Sequence, residues 1–170
     1  MPSRSRELRK KQDQQASWDR LRNAPWSPFD LSRAFGSGRQ RIQLVCLPSF
    51  SPPSFWEVCQ LESQWLLYSA TVVDPDWYSL TVQGYERVEF ESGKLKPYFE
   101  RLTSLSMPVA PDLSNMTGLD GTVTQLALFG DMWSQVRYQW WSEHPPGWTP
   151  LVQIADEMLA AFGGGPAAGE

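Results

Sequence analysis

The stretch WLLYSATVVDPDWYSLTVQ, residues 65–83, decides the fold class. Its first half, Trp65 to Val73, is rich in aromatic and β-branched residues, which suit a pleated, half-buried surface. Asp74-Pro75-Asp76 follows, with proline pre-set for the second position of a turn. Trp77 to Gln83 then returns with strand composition. Two such runs joined by a short turn predict an antiparallel hairpin.

The same grammar recurs on both sides. Toward the C-terminus, Thr122 to Phe129 reads as a strand, Gly130-Asp131 turns the chain, and Trp133 to Trp141 pairs back. Toward the N-terminus, Ile42 to Leu47 is a short apolar run closed by the proline-rich loop Pro48 to Pro53. Phe55 to Leu61 fits a strand or a short helix equally well. Val88 and Phe90 alternate with Glu89 and Glu91, which predicts one more half-buried strand.

Two segments change period. Leu95, Tyr98, Phe99, Leu102 and Leu105 follow helical spacing, with Pro97 tolerated in a first turn and Met107-Pro108 as the stop. The closing helix is the clearer one: Thr149 as cap, Pro150 at the first helical position, then a stripe of Leu151, Ile154, Ala155, Met158, Leu159 and Phe162, ended by Gly163. The fold expected is α+β, a twisted antiparallel sheet with two amphipathic helices packed on one face. Residues 1–39 form a basic N-terminal segment, 40–162 the domain and 163–170 a tail.

Composition narrows the function classes. The 170 residues are 41% hydrophobic and 20% charged, which is globular. No apolar run reaches the roughly 18–20 residues that span a bilayer, and the first residues lack the apolar centre of a secretory signal. Two cysteines, Cys46 and Cys59, are too few for a secreted disulfide scaffold, so the expected location is cytoplasmic. The net charge of −4 hides an asymmetry: residues 1–41 sum to +6, which leaves −10 for the rest. A basic arm on an acidic body steers toward different partners at its two ends.

Catalytic and metal chemistry find little footing. His144 is the single imidazole, set in a turn beside Pro145, and no CxxC pair or nucleophile elbow occurs. Gly36-Ser37-Gly38 neither follows a strand nor opens a helix, so it fails as a phosphate loop. No motif calls for a cofactor or a metal. The acid pairs Glu89/Glu91 and Asp74/Asp76 keep a carboxylate-based hydrolase as one alternative. Strand wetting and turn formation explain the same residues more simply.

Binding has better candidates. On the predicted strand 133–141, alternation sets Trp133, Arg137 and Trp141 on the face away from Val136, Tyr138 and Trp140. Tryptophan and arginine are the residues enriched at interface hot spots. The basic arm, with Arg4, Arg6, Arg9, Lys10, Lys11 and Trp18, supplies phosphate contacts and a base-stacking ring for a nucleic-acid or anionic-surface alternative. The acidic body opposes a long polyanion.

Leu119-Asp120-Gly121, Tyr138-Gln139-Trp140-Trp141 and Pro145-Pro146-Gly147-Trp148-Thr149-Pro150-Leu151 together resemble a pattern near the end of a family of small uncharacterised bacterial proteins. The resemblance covers the last third of the chain and implies no activity. In general character the small acidic α+β body is also similar to toxin-neutralising immunity proteins. The leading expectation is a non-enzymatic protein-interaction module, of immunity or assembly type, with a protein partner and no membrane.

Overall fold

The computed structural model describes residues 9, 12, 16, 40–74, 80–108, 121–130 and 134–163. Six strands form one antiparallel sheet: β1 (Arg41–Pro48), β2 (Ser54–Leu61), β3 (Gln64–Asp74), β4 (Thr81–Val88), β5 (Thr122–Phe129) and β6 (Gln135–Trp140). Their order across the sheet is β4-β3-β2-β1-β5-β6. Helices α1 (Ser92–Thr103) and α2 (Thr149–Phe162) complete the fold. The class is α+β, and Phe55 to Leu61 belongs to a strand. No helix among the described residues is long and apolar enough to cross a membrane.

Alternation divides the strand residues between two clusters. One joins Ile42, Leu44, Val58, Trp65, Leu67, Leu126 and Leu128 to Leu95, Phe99 and Leu102 of α1 and to the whole predicted stripe of α2. Each large side chain buried there contributes about 1.5–3 kcal/mol of transfer free energy. The other holds Val45, Phe55, Cys59, Leu66, Tyr68, Val72, Val82 and Tyr85, each offset from the first set by an odd number of positions in β1, β2 and β3.

The helices cross between distant strands. Ser92 Oγ accepts the Trp65 N–H at 3.0 Å, which pins the start of α1 to β3, and the Trp65 and Phe99 rings lie 5.3 Å apart. The end of α1 reaches the β5–β6 hairpin, where Leu102 and Leu105 share a groove with Leu128, Val136 and Tyr138. At the start of α2, Trp148 meets Tyr138 edge to face at 5.4 Å; at its end Phe162 meets Trp56, Phe90 and Tyr98. Arg101 of α1 and Glu157 of α2 form a two-pronged ion pair at 2.5 and 3.0 Å.

Several expectations need correction. The partner of β3 is Thr81–Val88, displaced from the expected 77–83, and the predicted turn residues Pro75 and Asp76 lie outside the described residues, as does Trp77. Two bulges interrupt the pairing. Between Ser69/Glu86 and Thr71/Gln83, β4 carries one residue more than β3, and Gly84 there has φ 71°, which a side chain rarely adopts. Between Val72/Val82 and Asp74/Thr81 the extra residue is on β3. No separate strand exists at 88–91: Val88 ends β4, and Glu91 is the N-terminal flanking residue of α1, ion-paired with Lys94 at 2.7 Å.

In α1, Pro97 is the sixth residue, past the first turn, and the helix ends at Thr103, before Leu105. Thr149 does not cap α2. A 3-10 turn, Pro146–Trp148, runs straight into the helix, so Trp148 takes the capping position and the Thr149 hydroxyl donates to Pro146 O at 2.8 Å. Gly163 ends α2 in the left-handed conformation, as its position in the sequence predicts.

Candidate functional site

β6 is paired with β5 and, among the described residues, with nothing on its other side. Its register with β5 is unbroken from Thr124/Trp140 to Phe129/Gln135. The Gly130 N–H donates to Ser134 O at 2.9 Å, so Gly130 and Ser134 form a hydrogen-bonded pair at the hairpin end. Hydrogen-bonded and non-bonded pairs alternate along an antiparallel ladder. Val136, Tyr138 and Trp140 therefore direct their backbone groups into β5. Gln135, Arg137 and Gln139 direct theirs away from β5.

The side chains divide in the same way. Trp140 is buried and Tyr138 half-buried against the helix-bearing cluster, whereas Val136 is 40% exposed. Gln135, Arg137 and Gln139 occupy the other face and are exposed. Gln139 Oε1 accepts from Gln125 Nε2 at 3.2 Å, a directly opposite cross-strand pair. Partial burial lowers the Arg137 guanidinium from its ordinary value.

Of the three anticipated anchor residues, Arg137 is in place on the exposed face. Trp141 follows the end of β6 and is half-buried. A Cβ on Gly121 would stand 2.5 Å from its Nε1, so the indole lies tight against the chain entering β5 and needs a glycine there. Trp133 lies outside the described residues. Of the basic-arm residues, Arg9 is helical and exposed; Arg4, Arg6, Lys10, Lys11 and Trp18 lie outside the described residues.

A groove of about 320 Å³, open to solvent, runs along the helix side of the β5–β6 hairpin. Its apolar walls are Phe99, Leu102 and Leu105 on one side and Leu128, Val136 and Tyr138 on the other. No local pattern announces it, because its walls come from α1, β5 and β6, which are separated along the chain.

A second cluster was also missed. Glu57 is fully buried in β2, facing away from the helix-bearing cluster. Gln43 Nε2 donates to its Oε2 at 2.7 Å and the Tyr85 hydroxyl to its Oε1 at 2.8 Å. The Arg41 guanidinium stands 3.9 Å from Oε2 and 4.3 Å from the centre of the Phe129 ring. Burial pushes the Glu57 carboxyl up, opposed by Arg41, Gln43 and Tyr85. Burial and then Glu57 push the Tyr85 hydroxyl well up, and its ring stacks on Tyr68 at 4.7 Å. The available signal was the alternation Phe55, Glu57, Cys59, which puts a carboxylate among inward-facing residues.

Of the acid pairs weighed from the sequence, Asp76 lies outside the described residues. Glu89 and Glu91 are exposed and sit on no strand; Asp74 is exposed at the end of β3. His144 Nε2 lies 3.3 Å from Thr149 Oγ1, and Cys46 and Cys59 are buried and in no disulfide. Among the described residues no three of His, Cys, Asp and Glu converge on a metal-sized site. No family model, curated protein or solved structure matches this chain.

Proposed function

We propose that the protein is a cytoplasmic protein-interaction module that binds an extended segment of its partner along the free edge of β6. Both helices lie on one face of the sheet in this reading and leave the edge itself open. The observation that carries it is the difference between the two sheet edges. β4 is interrupted by two bulges, a common device for spoiling an edge. β6 keeps an unbroken register, with the backbone groups of Gln135 and Gln139 directed away from β5 and a side-chain groove beside it. An added strand gains main-chain hydrogen bonds from such an edge and specificity from alternate side chains.

Selection from a random library of displayed peptides tests this. Proline is tolerated on an edge strand where its missing N–H faces solvent, so Gln139→Pro removes one outward donor and leaves the β5–β6 ladder intact. Gln139→Ala loses the same side-chain amide but keeps the donor. Selected peptides are expected to bind the wild type and the alanine variant and to lose at least tenfold in affinity for the proline variant. Equal binding to all three removes the edge from the mechanism.

A further inference from the structure

We infer that Phe50 is the anchor of a second binding surface, and that it inserts into an apolar, basic-rimmed pocket on a protein partner. The inference does not depend on strand addition at β6. Residues 49–53 connect β1 to β2. Phe50, in this connection, is 88% exposed, the most exposed large hydrophobic side chain among the described residues. A single exposed apolar residue is ordinary on a protein surface. Phe50 differs in how its loop is held. Ser49 Oγ donates to Gly121 O at 2.6 Å and accepts the Gly121 N–H at 3.2 Å, while the Ser49 N–H donates to the same carbonyl at 3.1 Å. The next residue is latched too, because the Thr122 N–H donates to Ser142 Oγ at 2.8 Å. A side chain at Gly121 would collide with Ser142 Oγ, so the latch needs that glycine. Pro48, Pro52 and Pro53 fix their own φ and disfavour helical geometry in the residues before them.

A backbone tied down on the residue before the ring leaves little loop freedom for a partner to arrest. Ordering a loop is one of the costs of binding, so a ring presented this way anchors with less loss. Aromatic rings seated in desolvated pockets carry a large share of interface energy.

The surroundings of Phe50 select the partner. Register places Pro48 opposite Thr122 and Ser54 opposite Thr71. β3 runs on past that pair, so Val73, 46% exposed, lies at the same end of the sheet. Trp140, opposite Thr124, brings the end of β6 there as well. The segments that meet at this end, 46–56, 69–74, 81–83, 121–125 and 139–144, hold two exposed acids, Asp74 and Glu143, and no lysine or arginine. A pocket with a basic rim complements that charge and suffers no like-charge repulsion. An anionic lipid surface, the other apolar destination for an exposed ring, attracts basic segments and meets acids here.

The test is photo-crosslinking in the protein's native cells, using the full chain with Phe50→p-benzoylphenylalanine. One protein is expected to be captured, and the crosslinked residue is expected to lie among apolar side chains with lysine or arginine beside them. Binding of that purified protein is then compared across variants at an exposed position where folding is not at stake. Phe50→Leu is expected to stay within roughly threefold of the wild type, and Phe50→Ser to lose at least about thirtyfold in affinity. The double variant Asp74→Lys/Glu143→Lys is expected to slow association at least tenfold at low salt, where steering between unlike charges is strongest. Crosslinking to lipid alone, no crosslinked protein, or a crosslink on an acidic or wholly polar surface overturns the inference. So does a Phe50→Ser variant that binds the captured protein as well as the wild type does.

Discussion

Glu57 shows how a single residue sets the electrostatics of this sheet. Its carboxyl is raised from its ordinary value, chiefly by burial. The folded protein therefore holds this proton more tightly than the unfolded chain does, and stability falls as pH rises from the ordinary carboxylate range through the raised value. Glu57→Gln keeps an acceptor for Tyr85 and, after rotation of the Gln43 amide, a partner for Gln43. It cannot titrate. Urea midpoints taken between about pH 4 and pH 8 are expected to decline in the wild type and to lose this component in the glutamine variant. An identical decline in both proteins would place the titration elsewhere. Tyr85→Phe probes the same cluster from the other side: it deprives Glu57 Oε1 of its donor and is expected to destabilise by about 1–3 kcal/mol, measured by the same melts near neutral pH.

The elements differ in how plainly the sequence announces them. β5, the hairpin it makes with β6, and α2 were legible, because each keeps one unbroken period between clear turn or end signals. β4 was not. The Gly84 bulge shifts the phase of alternation, so Val82 and Tyr85, three positions apart, both face inward. Gly84→Ala forces a side chain into φ 71° and is expected to destabilise by about 1 kcal/mol in urea unfolding, although nothing lies within 4 Å of the added Cβ. Met158→Ala in α2 opens a cavity at a fully buried position and is expected to cost about 2–5 kcal/mol in the same assay. The Glu57 cluster was illegible for another reason: its members come from β1, β2 and β4, and only the pairing of Gln43 with Glu57 brings the amide to the carboxylate. Alternation set Arg137 on the face opposite Tyr138 and Trp140, but its place on an edge depends on strand order, which no local pattern encodes.

Taken as one molecule, the sheet has two edges and treats them differently. At β4 the bulges spoil the ladder, and Glu86 and Arg87 are exposed. At β6 the ladder is regular and Val136 is exposed, which is the profile of an edge that pairs with its own copies unless something prevents it. Arg137 supplies the hindrance. In a two-fold antiparallel pairing of β6 with a second β6 centred on this strand, Arg137 stands opposite Arg137, and like charges directly opposite are destabilising. Arg137→Val removes the repulsion and leaves an exposed edge in which valine occupies both 136 and 137. Size-exclusion chromatography with light scattering is expected to show concentration-dependent self-association of Arg137→Val, absent in the wild type at the same concentrations and abolished again by adding Gln139→Pro. If Arg137→Val matches the wild type at every concentration, the arginine does not guard this edge.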